Sequence, residues 1–177
     1  MKARSFILII ISSAILWGGC AHVISKDVLK EVNPDISFTR LLKDPVSYRG
    51  QTVLLGGVIV EATQNPEGTL LEVYQTEMDY EKRPINTDVS EGRFLALYKG
   101  FLDNEIYSKG RKITVAGVVT GVRTMKLGEI DYHYPSLLIK DIHLWEKERK
   151  KTWDPYFMYP WGMWGPWDPW YYPYWRY

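Results

Sequence analysis

The alternation of apolar and polar positions divides the chain into an apolar start, a long section of strand-like segments and an aromatic end. Five segments are rich in β-branched, leucine or aromatic residues and are bounded by Gly, Pro, Asn or Asp, as β-strands usually are. They are residues 52–63, 69–76, 93–99, 112–122 and 134–146. The pattern therefore predicts a mostly β domain.

Two short helices are predicted beside these strands. The first follows an N-cap at Ser37 and is stopped by Asp44 and Pro45. The second begins at Asp103 and ends at Gly110. Three strands, a helix and two strands is the order of an OB-fold, so we predict an all-β, five-stranded OB-like barrel over residues 36–147. A β-sandwich is the alternative, although five strands are few for it.

Two of the predicted strands share an internal repeat. Gly50, Val53, Leu55, Gly57 and Val58 recur at identical spacing as Gly110, Ile113, Val115, Gly117 and Val118. A glycine inside a strand marks a bulge, sharp coiling or a close approach of backbone. A closed barrel of five long strands needs such bends at its corners.

The N-terminus has the layout of an export signal. Lys2 and Arg4 precede an apolar run over residues 6–17, which is followed by Gly18, Gly19 and the only cysteine, Cys20. About a dozen apolar residues are too few for a spanning helix, which needs roughly twenty. We therefore predict a signal peptide over residues 1–19.

The stretch LWGGC, residues 16–20, resembles a bacterial lipobox, with Trp17 where an aliphatic residue is usual. The resemblance implies a covalent lipid on Cys20, and Ala21, in place of an inner-membrane retention aspartate, favours the outer membrane. The alternative is a chance cysteine in an ordinary signal peptide or an uncleaved anchor. Residues 20–35 are polar and mixed, which predicts a lipidated tether before the barrel.

Three segments carry a resemblance to a known family: NPDISFTRLLKDPVSYRGQTVLLGGVI (33–59), GRKITVAGVVTG (110–121) and YPSLLIKDIHLW (134–145). Together with the lipobox they resemble the Slp family of outer-membrane lipoproteins, over roughly residues 1–147. The combination of the lipobox with Asp44–Pro45, Arg49–Gly50 and Gly56–Gly57 is specific to the family, whereas none of these pieces is specific alone. The resemblance implies a lipid anchor and an outer-membrane location, but it implies no molecular activity.

Sequence motifs for catalysis are not found. The chain has no nucleophile elbow, phosphate loop, dinucleotide fingerprint or zinc spacing, so we predict no enzyme and no cofactor other than the lipid on Cys20. A net charge of +1 without a basic stripe argues against nucleic acid as a partner. The strand aromatics Tyr74, Phe94 and Tyr98, beside Glu72, are interpreted as packing residues rather than as a base-stacking surface.

Two groups of possible metal ligands are interpreted as ordinary surface residues. Asp131, His133 and His143 are too few and too dispersed for a supported metal site. Glu77, Asp79 and Glu81 alternate as calcium ligands could, but the glycine turn and distal glutamate of an EF-hand are missing. The surrounding connection, residues 79–92, is predicted to bulge from the barrel, where a loop can carry function.

The tail, WDPYFMYPWGMWGPWDPWYYPYWRY (153–177), contains five prolines, which exclude a continuous helix or a central strand. Trp161, Trp164, Trp167 and Trp170 recur every three residues, the period of a polyproline II helix. We predict an irregular Trp/Tyr/Pro-rich tail that contacts lipid headgroups or an envelope partner; the alternative is that it folds back over the barrel.

A basic cluster precedes this tail. Lys150 and Lys151 belong to the run KERKK (147–151), which either faces anionic headgroups or is a solvated helical end. We assign residues 148–177 to this basic linker and the aromatic tail.

The sequence therefore predicts a lipoprotein anchored to the outer membrane, with a structural or interaction role in the cell envelope. Membrane lipid and an envelope protein are its expected partners. The alternative function is a ligand-binding OB-like module that recognises a small molecule, a cell-wall fragment or an envelope protein.

Overall fold

The computed structural model describes residues 23–147 of the chain. Two helices precede the sheet, and all five predicted strands are present. The elements are α1 (Lys26–Glu31), α2 (Phe38–Lys43), β1 (Thr52–Asn65), β2 (Gly68–Thr76), β3 (Arg93–Tyr98), β4 (Lys112–Leu127) and β5 (Ile130–Leu144). Neither helix is long and apolar enough to cross a membrane.

The strands close into a barrel in the order β1-β2-β3-β5-β4, with β4 paired to β1. Every neighbouring pair is antiparallel except β3 and β5, which are parallel. The starts of β1, β3 and β5 therefore lie at one end of the barrel, which we call the α2 end. The other end is the Trp145 end, because Trp145 follows the last residue of β5. The predicted OB-like barrel is confirmed.

Apolar side chains fill the barrel and close both of its ends. The lining residues alternate along the strands, as a sheet with one buried face requires; they include Leu71, Val73, Phe94, Ile113 and Val115. Phe38 and Leu41 of α2 join this core, and so does Leu102, from the connection between β3 and β4. The cap at Ser37 is also as predicted, since its hydroxyl accepts a hydrogen bond from the Arg40 backbone N–H at 3.3 Å.

The predicted helix from Asp103 to Gly110 is wrong, because this connection consists of turns. Its backbone forms a single turn, in which the N–H groups of Ile106 and Tyr107 donate to the Asp103 carbonyl, and side chains also bind it. The Leu102 N–H donates to the Thr69 hydroxyl at 2.9 Å, and the Ile106 carbonyl accepts from the Arg111 guanidinium at 3.0 Å. These contacts place Leu102 in the core without a helix.

The internal repeat pairs with itself about a local two-fold axis. β1 and β4 are antiparallel, and Leu55 lies opposite its own equivalent, Val115. The Gly50 N–H donates to the Val119 carbonyl and the Gly110 N–H to the Ile59 carbonyl, both at 2.8 Å. The φ angles of the two glycines are +84° and +86°.

A second pair of repeated glycines, Gly57 and Gly117, allows backbones to approach closely. A Cβ on Gly57 would lie 2.3 Å from the Tyr74 carbonyl oxygen, and one on Gly117 would lie 2.8 Å from that of Leu138. The prediction that the strand glycines mark close backbone contact is confirmed at both positions.

The segment before the barrel is attached to it, whereas the sequence predicts a tether over residues 20–35. Ile24 is 1% exposed, and the Ser25 N–H donates to the Asp141 carboxylate of β5 at 2.8 Å. At the other end of α1, Val32 forms a parallel bridge with Thr52 of β1. The six-residue α1 is too short to show an apolar period, which is why the sequence pattern suggests a spacer.

β4 and β5 extend beyond their predicted limits as a two-stranded arm. Val122–Leu127 pairs with Ile130–Pro135, and the turn has Gly128 at its first central position with φ +62°, as in a type II′ turn. Much of the arm is solvent-exposed on both faces, so its sequence lacks the apolar alternation of a half-buried strand. Strand polarity places the arm at the α2 end.

Candidate functional site

A group of polar and aromatic side chains lies on the outer face of the barrel, across β2, β3 and β5. We call it the Glu72 cluster; it comprises Glu72, Arg93, Tyr132 and Tyr134. Because Leu71 and Val73 face the core, Glu72 between them points outward. Tyr134 is likewise on the opposite face of β5 from the core residue Leu137.

The cluster is organised around one carboxylate oxygen. Glu72 Oε1 accepts hydrogen bonds from Arg93 Nη1 at 2.7 Å and from the Tyr134 hydroxyl at 3.1 Å. The Tyr132 hydroxyl accepts from the Arg93 backbone N–H at 3.1 Å, and its ring meets that of Tyr134 edge-on with centroids 4.6 Å apart. The side chains of Glu72 and Arg93 remain 16% and 32% exposed, so solvent reaches part of the ion pair.

The electrostatics of the cluster favour binding over proton transfer. Burial, and then the hydrogen bond to Glu72, raise the pKa of Tyr134 above its ordinary value. The hydrogen bond to Glu72 likewise raises the pKa of Arg93. At neutral pH Tyr134 is therefore a neutral donor and Arg93 a fixed cation. The accessible part of the guanidinium can donate to a carboxylate, phosphate or carbonyl oxygen.

Gly92 joins the cluster to α2. A Cβ on Gly92 would lie 2.6 Å from the Tyr132 hydroxyl and 3.1 Å from Leu42 of α2. Next to it, the Thr39 hydroxyl donates to the Glu91 carboxylate at 2.6 Å. The cluster therefore lies at the α2 end, where the helix, the start of β3 and the arm meet.

The connection between β2 and β3 does not simply bulge from the barrel, because its first part packs on the outside of β1 and β4. Met78 lies against Gly56, whose Cβ would come within 2.3 Å of the Met78 side chain. The Thr114 hydroxyl donates to the Lys82 carbonyl at 2.6 Å and accepts from Trp145 Nε1 at 2.9 Å. Arg83 stacks over the Trp145 ring at 5.4 Å. This part of the loop is a cover for the sheet.

The two groups of possible metal ligands, which the sequence predicts to be ordinary surface residues, make hydrogen bonds and ion pairs with neighbouring residues. Asp79 Oδ1 accepts from the backbone N–H groups of Glu81 and Arg83, and the Glu77 carboxylate accepts from the Asn86 side chain. Asp131 forms an ion pair with Lys126, and His133 forms a hydrogen bond with Thr124. The ring of His143 contacts the ring of Trp145 edge-on. Over residues 23–147, no three His, Cys, Asp or Glu side chains are grouped to hold a metal ion.

The residues predicted for lipidation and membrane contact lie outside the described part of the chain. They are Cys20, Lys150, Lys151, Trp161, Trp164, Trp167 and Trp170. Their roles stay predictions. The Glu72 cluster itself was missed as a site by sequence reasoning. The available signal was an acidic residue inside an apolar strand, followed by an arginine at the start of the next strand.

Comparison with known proteins identifies similar lipoproteins. A family model described as the outer membrane lipoprotein Slp family matches residues 17–175. The match continues through the aromatic tail, which the resemblance noted in the sequence, over residues 1–147, does not cover. The Escherichia coli (strain K12) lipoprotein YeaY is 30% identical over 151 residues, which are 84% of this chain and 76% of that protein. The outer membrane protein Slp of the same strain is 26% identical over 139 residues, 77% of this chain and 73% of that protein.

Among solved structures, the mitochondrial single-stranded DNA binding protein Rim1 of S. cerevisiae aligns with a TM-score of 0.34 and 15% identity. The alignment covers 55% of this chain and 97% of that chain.

Proposed function

Because this chain belongs to the outer membrane lipoprotein Slp family and is thus an envelope lipoprotein, we propose that a lipid on Cys20 anchors it to the outer membrane. In this proposal the barrel has a structural or interaction role and no catalytic one. Three acyl chains, at about 0.8 kcal/mol per buried methylene, would make the attachment effectively permanent.

The family match, which covers residues 17–175 and so includes Cys20, supports the anchor, and the attachment of the following segment limits how far the anchor would lie from the barrel. Ser25, whose N–H bonds to Asp141, is only five residues beyond Cys20. At no more than about 3.4 Å per residue, the lipidated cysteine would be within roughly 17 Å of that contact. An anchor so close to a packed segment positions the barrel at the bilayer.

The Glu72 cluster is the surface that we assign to the interaction role. Arg93 is a fixed cation at neutral pH, and its side chain is 32% exposed. These properties suit contact with an oxygen-bearing partner group more than acid–base chemistry. The same accessible cation favours the alternative function, a ligand-binding module, for a ligand that carries a carboxylate or phosphate.

The anchor is tested by substituting Cys20. In cells labelled with radioactive palmitate, Cys20→Ala is expected to abolish incorporation of label into the protein and to move it out of the membrane fraction. Ser13→Ala, which leaves the apolar run and the cysteine in place, is the matched control and should behave as the native chain. If Cys20→Ala kept its label and its membrane fraction, the proposed anchor would be wrong.

A further inference from the structure

We propose that the Trp145 end of the barrel faces the bilayer and that Phe101 and Ile106 at this end enter the headgroup region. This inference rests on the proposed anchor at Cys20. It adds an orientation and a lipid-contacting surface, both of which follow from where the chain is attached to the barrel.

The attachment point of the anchor segment lies in the last third of β5. Asp141, which holds Ser25, is three residues before the end of that strand, or about 10 Å at 3.3 Å per residue. Trp145 then continues the chain beyond β5, where its N–H donates to the Lys112 carbonyl at 3.0 Å. Along β5, the contact that holds Ser25 is therefore nearer to the Trp145 end, where the last described residues lie, than to the tip of the arm.

The arm excludes the inverted orientation. Ile130, at the tip of the arm, is eleven residues before Asp141 on the same strand, which corresponds to about 36 Å. If the arm pointed at the bilayer, Ser25 would be held about that far above it. The roughly 17 Å that separates Cys20 from Ser25 at full extension could not bridge this distance.

The Trp145 end carries side chains suited to the interface. Phe101 is 74% exposed and Ile106 is 52% exposed, both in the connection between β3 and β4. Exposed Lys99 and Lys109 flank them, while Asp103 and Glu105 balance the charge of these lysines. The contact would therefore depend on apolar burial more than on net charge, at about 25 cal/mol per Å².

Exposed apolar side chains are found at both ends of the barrel. Because the β1–β4 pair has a local two-fold axis, a matched control position exists at the α2 end. Val46, the repeat equivalent of Ile106, precedes Gly50 as Ile106 precedes Gly110, and it is 55% exposed. It lies at the α2 end. Val46 and Ile106 thus have similar exposure in equivalent turns, but at opposite ends of the β1–β4 pair.

The experiment uses the full lipidated chain in vesicles of phosphatidylethanolamine and phosphatidylglycerol. With Cys20 blocked by lipid, a cysteine introduced by F101C, I106C, V46C or I130C is the only free thiol, and it is labelled with an environment-sensitive fluorophore. Quenching by lipids brominated along their acyl chains is then measured. Labels at positions 101 and 106 are expected to be quenched severalfold more strongly than labels at positions 46 and 130.

Flotation of the same samples separates the two proposals. Protein that floats with the vesicles but shows equal quenching at all four positions, or stronger quenching at position 46 or 130, overturns the orientation and leaves the anchor intact. Protein that does not float overturns the anchor, and the orientation falls with it.

Discussion

At the scale of single residues, Tyr134 combines an outward position on β5 with 1% exposure. Its hydroxyl donates to Glu72, so the phenol is held in its neutral form in the folded protein. Replacing it with phenylalanine removes one hydrogen bond and leaves Glu72 paired with Arg93. The expected loss at pH 7 is about 1 kcal/mol of unfolding free energy.

The raised pKa of Tyr134 also predicts a pH dependence. A group whose pKa is higher in the folded state than in the unfolded chain stabilises the fold below the unfolded value, about 10 for tyrosine, and loses this contribution as the pH rises further. Tyr134→Phe should therefore reduce the loss of stability above pH 10. Urea unfolding at pH 7, 9 and 10.5 measures this difference.

Tyr80→Phe is the control for this measurement. Tyr80 is 88% exposed, and the charge of Glu81 is the main cause of its raised pKa. Salt screens such a surface interaction, so in high salt this variant should lose stability with pH as the native chain does. If Tyr134→Phe showed the native alkaline loss as well, Tyr134 would not be the source of it.

At the scale of elements, the β1–β4 pair is built from two copies of one motif. Gly50 and Gly110 have the same left-handed backbone, and a Cβ added to either residue would meet no neighbouring atom within 4 Å. Alanine at either position is thus opposed by the φ angle alone, at about 1–2 kcal/mol. We predict similar costs for Gly50→Ala and Gly110→Ala.

The two costs should also add in the double variant, because the two turns lie at opposite ends of the strand pair. Asparagine tolerates the left-handed region better, so Gly50→Asn and Gly110→Asn should be milder. Chemical denaturation of the five variants measures this. If alanine lowered the unfolding free energy by clearly different amounts at the two positions, the two copies of the motif would not contribute equally to stability.

The strands of the barrel could be predicted because they are half-buried. In β2, for example, Leu71 and Val73 alternate with outward-facing residues, and this periodicity is visible in the sequence. The arm could not be predicted in this way, because Arg123, Thr124 and Lys126 pack on no core. Its extension depends on backbone pairing, which leaves no apolar pattern.

The Glu72 cluster could not be predicted from the sequence, unlike the strands of the barrel. Glu72 and Arg93 meet through the β2–β3 pair, and Tyr134 joins them through the parallel pairing of β3 with β5, two strands distant in sequence. Local patterns do not specify such pairing. The helix predicted from Asp103 is limited to one turn, in which the N–H groups of Ile106 and Tyr107 donate to the Asp103 carbonyl.

At the scale of the whole molecule, the segment from Ile24 to Asn33 is an integral part of the folded domain. Ile24→Ala removes a side chain that is 1% exposed, and is therefore expected to lower the unfolding free energy by about 3 kcal/mol. Lys26→Ala, at an exposed position two residues later, should change it by less than about 0.5 kcal/mol. Urea denaturation of the two variants is the measurement. Equal, negligible effects would indicate that the segment behaves as a free spacer in solution.

The short interval between Cys20 and the docked segment has a consequence for how the protein meets its neighbours. If Cys20 carries the proposed lipid, the barrel would sample only a thin layer above the leaflet, and any molecule embedded in that leaflet would encounter it at an effective concentration in the millimolar range. A partner with a dissociation constant of about 0.1 mM would then be largely bound at the membrane. The same pair would be almost entirely separate in a dilute solution of protein that lacks its lipid.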